Sequence, residues 1–248
     1  MASSVEDLPW LLPGDPFPPA EAALREPDGL LALGGDLSPP TLLRAYRSGI
    51  FPWFSEDQPV LWWSPDPRLV LFPGEFHLSR RLWRTLRRGA FRFSFNRDFA
   101  GVIRGCAEPR PGEPGTWITP AMRQAYERLH ARGHAHSVEV WQDERLVGGL
   151  YGVRVGGVFC GESMFSRQPN ASKCALALLC GLHRALDIAL IDAQVSSDHL
   201  LRLGARNIAR ARFLALLAEY RDRPETPMPQ GSPAGFAEYR RDFTLGYS

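Results

Sequence analysis

Apolar positions along this chain settle into helical and strand periods only beyond about residue 66. Before that, short apolar runs are interrupted by Pro and Gly. One helix is signalled there: Ser38-Pro39-Pro40 opens TLLRAYRSG, which Gly49 closes. An aromatic cluster of Phe51, Trp53, Phe54, Trp62 and Trp63 follows, and Pro65 and Pro67 mark a boundary near residue 66. Downstream, Ser79 caps a helix that ends at Gly89, and Phe91, Phe93 and Phe95 alternate as a strand. Thr119-Pro120 starts a helix that Gly133 ends. Three strand patterns come next, over 136–141, 145–155 and 157–166. Gln142-Asp143-Glu144 and Gly156-Gly157 join them, so an antiparallel meander is expected. A long apolar helix from Ser172 to about residue 189 leads into the strand Leu190–Gln194. Two more helices are predicted over 197–205 and 209–221. Residues 224–235 hold four Pro and read as a tail linker, and the last dozen residues carry no pattern.

Helix, three antiparallel strands, helix, strand, helix is the element order of the GNAT acyltransferase architecture. In that fold the sheet splays open near its middle, and acyl donor and amine meet in the gap. The expected class is therefore α+β. A small N-terminal domain (1–66) precedes a GNAT-like catalytic domain (67–222) with a mixed, largely antiparallel sheet, and a Pro-rich extension (223–248) follows. Enzymes of that fold that use coenzyme A bind its pyrophosphate on a glycine-bearing loop at a helix N-terminus. Here the loop reads Arg167-Gln168-Pro169-Asn170-Ala171-Ser172. It has no glycine, and Pro169 has no amide hydrogen, so an acyl donor other than coenzyme A is expected, with no cofactor.

Composition narrows the setting. The 248 residues are 44% hydrophobic, with mean hydropathy −0.21, which excludes a disordered or membrane-embedded chain. No apolar run reaches the roughly 18–20 residues of a spanning helix. The start, MASSVEDLPW, lacks the basic and apolar regions of a signal peptide, so a cytoplasmic protein is expected. Cys106, Cys160, Cys174 and Cys180 show no C-x-x-C spacing and are expected to be reduced.

Net charge is only +2, yet placement is uneven. Ser79–Phe95 carries six Arg (80, 81, 84, 87, 88, 92) and no acid, and an acid-free stretch over 199–218 holds Arg202, Arg206, Arg210 and Arg212. A nearly neutral chain with such local basic runs suits a polyanion partner.

Candidate chemistry is sparse. His134-x-His136 has no Cys or carboxylate at ligand spacing, so no metal is expected. Gly152, Gly156, Gly157 and Gly161 lie within or between strands, not between a strand and a helix, which excludes a dinucleotide loop. The strand Leu190-Ile191-Asp192-Ala193-Gln194 is more informative. Strand alternation predicts Asp192 and Gln194 on one face. Burying a carboxylate costs several kcal/mol unless it is paired. Asp192 therefore either holds a loop or an Arg, or sits beside Gln194 to receive a cationic amine. Glu162, in an otherwise apolar strand, is a second candidate.

Ordered blocks then connect the chain to a family. GGDLSP (34–39), AYRSGIFPWF (45–54), LWWSPDPR (61–68), GTWITPAM (115–122), HSVEVW (136–141), GGLYGV (148–153), GESMFSR (161–167), NASK (170–173) and LIDAQ (190–194) resemble leucyl/phenylalanyl-tRNA–protein transferases. The likeness runs from about residue 8 to 221. It implies transfer of Leu or Phe, and Met less well, from aminoacyl-tRNA to the N-terminal Arg or Lys of a protein, creating a degradation signal. It also implies a catalytic set of Asp192, Gln194 and Glu162. Trp53 and Trp117 fall at positions that stack on the 3′ adenosine, and Leu150, Leu176, Leu179 and Ile191 at positions lining the side-chain pocket. Arg80, Arg81, Arg84, Arg87 and Arg88 would grip tRNA phosphates. Relatives often carry Cys where Ala193 stands. Alternatives left open are a GNAT-type N-acetyltransferase, an enzyme adding amino acids from tRNA to cell-wall peptide, and a non-catalytic tRNA-binding protein.

Overall fold

A computed structural model describes residues 4–109 and 116–232. The expected extension beyond 232 and Gly115 of the GTWITPAM block lie outside the described residues. In chain order the elements are β1 (Trp10–Leu11), β2 (Leu30–Gly34), α1 (Pro39–Arg47), β3 (Phe51–Pro52), β4 (Leu61–Trp63), β5 (Arg68–Leu71), α2 (Arg80–Arg87), β6 (Arg92–Phe95), α3 (Phe99–Ala107), α4 (Pro120–Ala131), β7 (Ala135–Gln142), β8 (Arg145–Val155), β9 (Val158–Ser166), α5 (Ala171–Gly181), β10 (Leu190–Gln194), α6 (Asp198–Leu201), β11 (Arg206–Ile208) and α7 (Arg210–Tyr220). The expected α+β class is observed.

The caps follow the sequence signals. Ser79 Oγ accepts from Leu82 N in α2, and Thr119 Oγ1 accepts from Met122 N in α4, each at 3.2 Å. At α5 the expected Ser172 start is one residue late. Asn170 flanks the helix in a left-handed conformation (φ 69°), and the Ser172 amide donates to Ser166 Oγ of β9 at 2.8 Å. That bond pins the helix to the strand beneath it.

Two sheets form, in the orders β1-β2-β4-β3 and β11-β5-β10-β9-β8-β7-β6. The small sheet belongs to the N-terminal region, where the sequence signalled only α1. In the large sheet β7, β8 and β9 make the expected antiparallel meander. β10 pairs parallel with β9, but only over Leu190–Asp192 against Val158–Cys160. Beyond Cys160, β9 runs on to Ser166 with no strand partner on its β10 side among the described residues, so the sheet opens there. The gap expected from the element order is thus present.

Each sheet face carries its own core. Tyr46, Phe51, Tyr126, Tyr151 and Phe213 belong to the cluster that joins the N-terminal region, α3, α4 and α7 to one face. Leu150, Phe159, Leu176, Leu179 and Ile191 belong to the cluster that α2 and α5 build on the other. Neighbours Leu150 and Tyr151 fall in different clusters, as strand alternation requires.

Several expectations need correction. β5 was hidden behind the Pro-rich boundary, yet it lies inside the sheet between β11 and β10. α3 was missed because Gly101 and Gly105 depress helix propensity. The Asp98 carboxylate caps that helix at Gly101 N, 2.8 Å away, and a Cβ at Gly105 would lie 2.7 Å from the Phe165 ring. α5 stops at Gly181, although Leu182, Leu186 and Ile188 remain buried and so prolong the apolar pattern. The helix expected over 197–205 is one short turn followed by β11. The Pro-rich segment also does not leave the domain at once. Glu225 accepts from Gly156 N, Asn96 donates to the Pro229 carbonyl, and Gly231 bridges Phe95 at the sheet edge.

Candidate active site

A cavity of about 530 Å³ passes through the opening between β9 and β10. On one face its walls include Phe51, Trp53, Trp117 and Tyr151; on the other, Leu150, Phe159, Leu176, Leu179 and Ile191. Trp53 is 43% exposed, its ring 5.6 Å from that of Trp63, and Trp63 Nε1 donates to its carbonyl at 2.6 Å. Trp117 is half-buried. All six residues expected at the substrate line this space, and so do Glu162 and Gln194.

Both polar residues owe their aim to irregular strands. In the β8–β9 ladder Gly152 faces Gly161 and Tyr151 faces Ser163, which leaves Glu162 as the extra residue of a bulge. In the β10–β5 ladder Asp192 faces Val70 and Gln194 faces Leu69, so Ala193 is extra. Gln194 itself sits at φ 65°, a left-handed conformation uncommon outside glycine. Bulges of this kind re-aim a side chain.

The expectation that Asp192 and Gln194 share a face is overturned by that bulge. Ile191, Ala193 and Gln194 line the cavity and Asp192 does not. Asp192 turns instead to Arg68 of β5. The guanidinium donates through Nε and Nη2 to the two carboxylate oxygens at 2.8 and 2.7 Å, with both side chains 1% exposed. Phe51 and Phe213 sandwich the cation at 4.8 and 4.5 Å. Asp192 Oδ1 also accepts from the Gln194 backbone N at 3.0 Å. Of the two readings open for this acid, the structure thus shows the one in which it holds an Arg. Arg68 is the polar group that sequence reasoning did not single out, although it closes the LWWSPDPR block.

Glu162 has different company. Its Oε1 accepts from Gln194 Nε2 and its Oε2 from Tyr126 Oη, both at 2.7 Å, and Tyr46 Oη lies 2.5 Å from Tyr126 Oη. Burial pushes the carboxyl up to about 7, against hydrogen bonds from Tyr126 and Gln194 that favour the charged form. Among the described residues no cation pairs with it. At the neck of the cavity lies an acid that ionises near neutrality, holding an amide whose oxygen accepts no hydrogen bond among the described residues.

None of Arg80, Arg81, Arg84, Arg87 and Arg88 lines the cavity. They stand exposed on α2 and, for Arg88, at its C-cap, while Leu82 and Leu86 of the helix pack into the cluster shared with α5. In the second basic run, Arg206 pairs with Glu75 and Arg210 reaches the Ser64 carbonyl and Asp66. His130 stacks on Phe99, and burial pushes His136 down to about 4. Among the described residues no three His, Cys, Asp or Glu side chains gather where they could hold a metal ion. No helix there is long and apolar enough to cross a membrane.

Comparison with known proteins gives concordant results for the two regions. The family model described as leucyl/phenylalanyl-tRNA protein transferase matches residues 70–218, and the model of its N-terminal domain matches 35–66. A leucyl/phenylalanyl-tRNA–protein transferase from Aromatoleum aromaticum is 56% identical over 238 residues, spanning 96% of this chain and 100% of the relative. One from Pseudomonas aeruginosa (strain LESB58) is 56% identical over 220 residues, 88% of this chain and 97% of its own. A solved GCN5-related N-acetyltransferase from Kribbella flavida shows 13% identity and a TM-score of 0.36, over 81% of this chain and 66% of that one. With full-length relatives sharing more than half of the aligned positions, the chain belongs to the leucyl/phenylalanyl-tRNA protein transferase family.

Proposed function

We propose that this chain transfers leucine or phenylalanine, and methionine less well, from aminoacyl-tRNA to the N-terminal Arg or Lys of cytoplasmic proteins, creating a degradation signal. The observation that carries the proposal is the passage of one cavity through the opened sheet. An adenosine stacked at Trp53 and Trp117 on one face, with its amino-acid side chain among Leu150, Leu176, Leu179 and Ile191 on the other, leaves the ester at the neck. Glu162 and Gln194 line that neck.

The acceptor's amino terminus arrives cationic. Of the two acids, Asp192 is neutralised by Arg68, so the attraction falls to Glu162. With Gln194 Nε2 engaged on Glu162, the amide oxygen is free to accept from the α-amine and orient its lone pair. The ammonium first releases one proton to solvent, and the free amine attacks the ester carbonyl. The C–N bond forms, the bond from that carbon to the ribose oxygen breaks, and the second proton shed by the nitrogen passes to the ribose oxygen. An ester is already activated, so positioning and deprotonation suffice without a covalent intermediate. Asp192 acts through the Gln194 backbone rather than on the amine.

The exposed arginines of α2 would contact tRNA phosphates. In this reading the chain divides into a small N-terminal domain (1–66), a catalytic domain (67–222) and a C-terminal extension (223–248). The test mixes labelled Leu-tRNA or Phe-tRNA with a protein starting in Arg and a twin starting in Met. Label on the Arg protein alone is expected; equal labelling, or none, contradicts the proposal.

A further inference from the structure

Two tyrosines complete the Glu162 cluster from outside the sheet. Tyr46 comes from α1 in the N-terminal region and Tyr126 from α4, and both are buried. A phenol has a single proton to donate. Tyr126 gives its proton to Glu162 Oε2 at 2.7 Å, so in the 2.5 Å contact between the two hydroxyls Tyr46 is the donor. Burial, then the Glu162 carboxylate, holds both phenols well above their usual value, and both keep their protons. The result is a directed chain, Tyr46 to Tyr126 to Glu162 Oε2, while Glu162 Oε1 holds the Gln194 amide.

Resting on the roles proposed above for Glu162 and Gln194, we infer that Tyr46 and Tyr126 are positioning residues for aminoacyl transfer. Tyr126, oriented by Tyr46, occupies Oε2 of Glu162, so that Oε1 is left to fix the Gln194 amide with its oxygen towards the incoming amine. The outer donor belongs to α1, so correct seating of the N-terminal region becomes a condition for a correctly set amide. Without these donors the carboxylate can turn or take up a proton. A protonated Glu162 can donate to Gln194 Oε1, which reverses the amide and presents its NH₂ group to the amine.

Several groups face Glu162: Tyr46 from α1, Tyr126 from α4, Tyr151 from β8, Cys160 on its own strand, and Asp192 of β10 with its Arg68. Among the described residues, Tyr126 alone supports the charged carboxylate directly by a hydrogen bond from outside the sheet, and Tyr46 supports it through Tyr126. Tyr126→Phe and Tyr46→Phe keep the buried rings and remove one hydroxyl each. A lost donor favours protonated Glu162, so the acidic limb of kcat/KM moves to higher pH. The expected shift is about one pH unit for Tyr126→Phe and less for Tyr46→Phe, with most of the rate regained at pH 9 and KM for Leu-tRNA unchanged. The acceptor amine titrates identically in every variant.

Thermal midpoints measured alongside expose a merely structural role, which lowers stability and leaves the pH profile in place. An acidic limb unmoved in both variants overturns the inference. Glu162→Gln, run in parallel, separates this from the parent proposal. If the acidic limb vanishes in that variant but stays unmoved in the Tyr variants, only the positioning role fails. If Glu162→Gln transfers with the wild-type rate and profile, the parent role of Glu162 fails, and the inference with it.

Discussion

The two carboxylates that flank Gln194 occupy contrasting surroundings. On the closed side of β10, Asp192 is paired bidentately with Arg68, sealed between aromatic rings and absent from the cavity wall. On the open side, Glu162 lines the cavity, has only neutral donors for partners among the described residues and ionises near pH 7. A buried pair with its charge cancelled makes a rigid support, whereas a lone acid of raised pKa can respond to an incoming cation. In the transfer proposed above, the chemistry belongs to the second acid and the mechanical support to the first.

The largest effect should come from breaking the support. Arg68→Ala leaves Asp192 charged and unpaired, and should lower stability by about 3–5 kcal/mol. Replacing both partners with apolar residues should recover much of that loss in denaturant unfolding. Gln194→Ala should barely change stability yet slow single-turnover transfer on the order of 10²-fold, the usual scale for a lost positioned group.

The open side should show itself through pH. A Glu in the unfolded chain ionises near 4.5, whereas folded Glu162 keeps its proton up to about 7. Between those values the folded state binds more protons, so this group's contribution to stability falls as pH rises through that window. Glu162→Gln should remove that slope in unfolding experiments.

Smaller effects lie further out. Narrowing the pocket with Leu176→Phe should penalise Phe-tRNA relative to Leu-tRNA by about tenfold in kcat/KM, since apolar pockets discriminate by about 1–3 kcal/mol. Reversing Arg80, Arg84 and Arg88 to Glu should raise KM for charged tRNA and flatten its salt dependence, with transfer from a short aminoacyl-nucleoside unaffected.

The meander of β7–β9 was legible because polar turns and Gly156-Gly157 separate strands of clear pattern. The opening of the sheet was legible from the element order. β5 was not, since a Pro-rich run hid a four-residue strand, and with it went the partner of Asp192. The bulges at Glu162 and Ala193 were not legible either, because nothing local in GESMFS or LIDAQ distinguishes a bulged ladder from a regular one. A strand period of two therefore put Gln194 on the same face as Asp192, although the bulge turns it to the other. The pocket leucines and the two tryptophans converge from β8, α5, the segment after β3 and the approach to α4, a convergence that the family resemblance supplied and local pattern could not.

The most direct test is a crystal structure with an amide-linked leucyl-adenosine that cannot be turned over. The adenine should lie against Trp53 and Trp117, the leucine side chain among Leu150, Leu176, Leu179 and Ile191, and the amide link beside Gln194. An analogue bound wholly on one face of the sheet, or with its carbonyl remote from Gln194 and Glu162, would contradict the assignment.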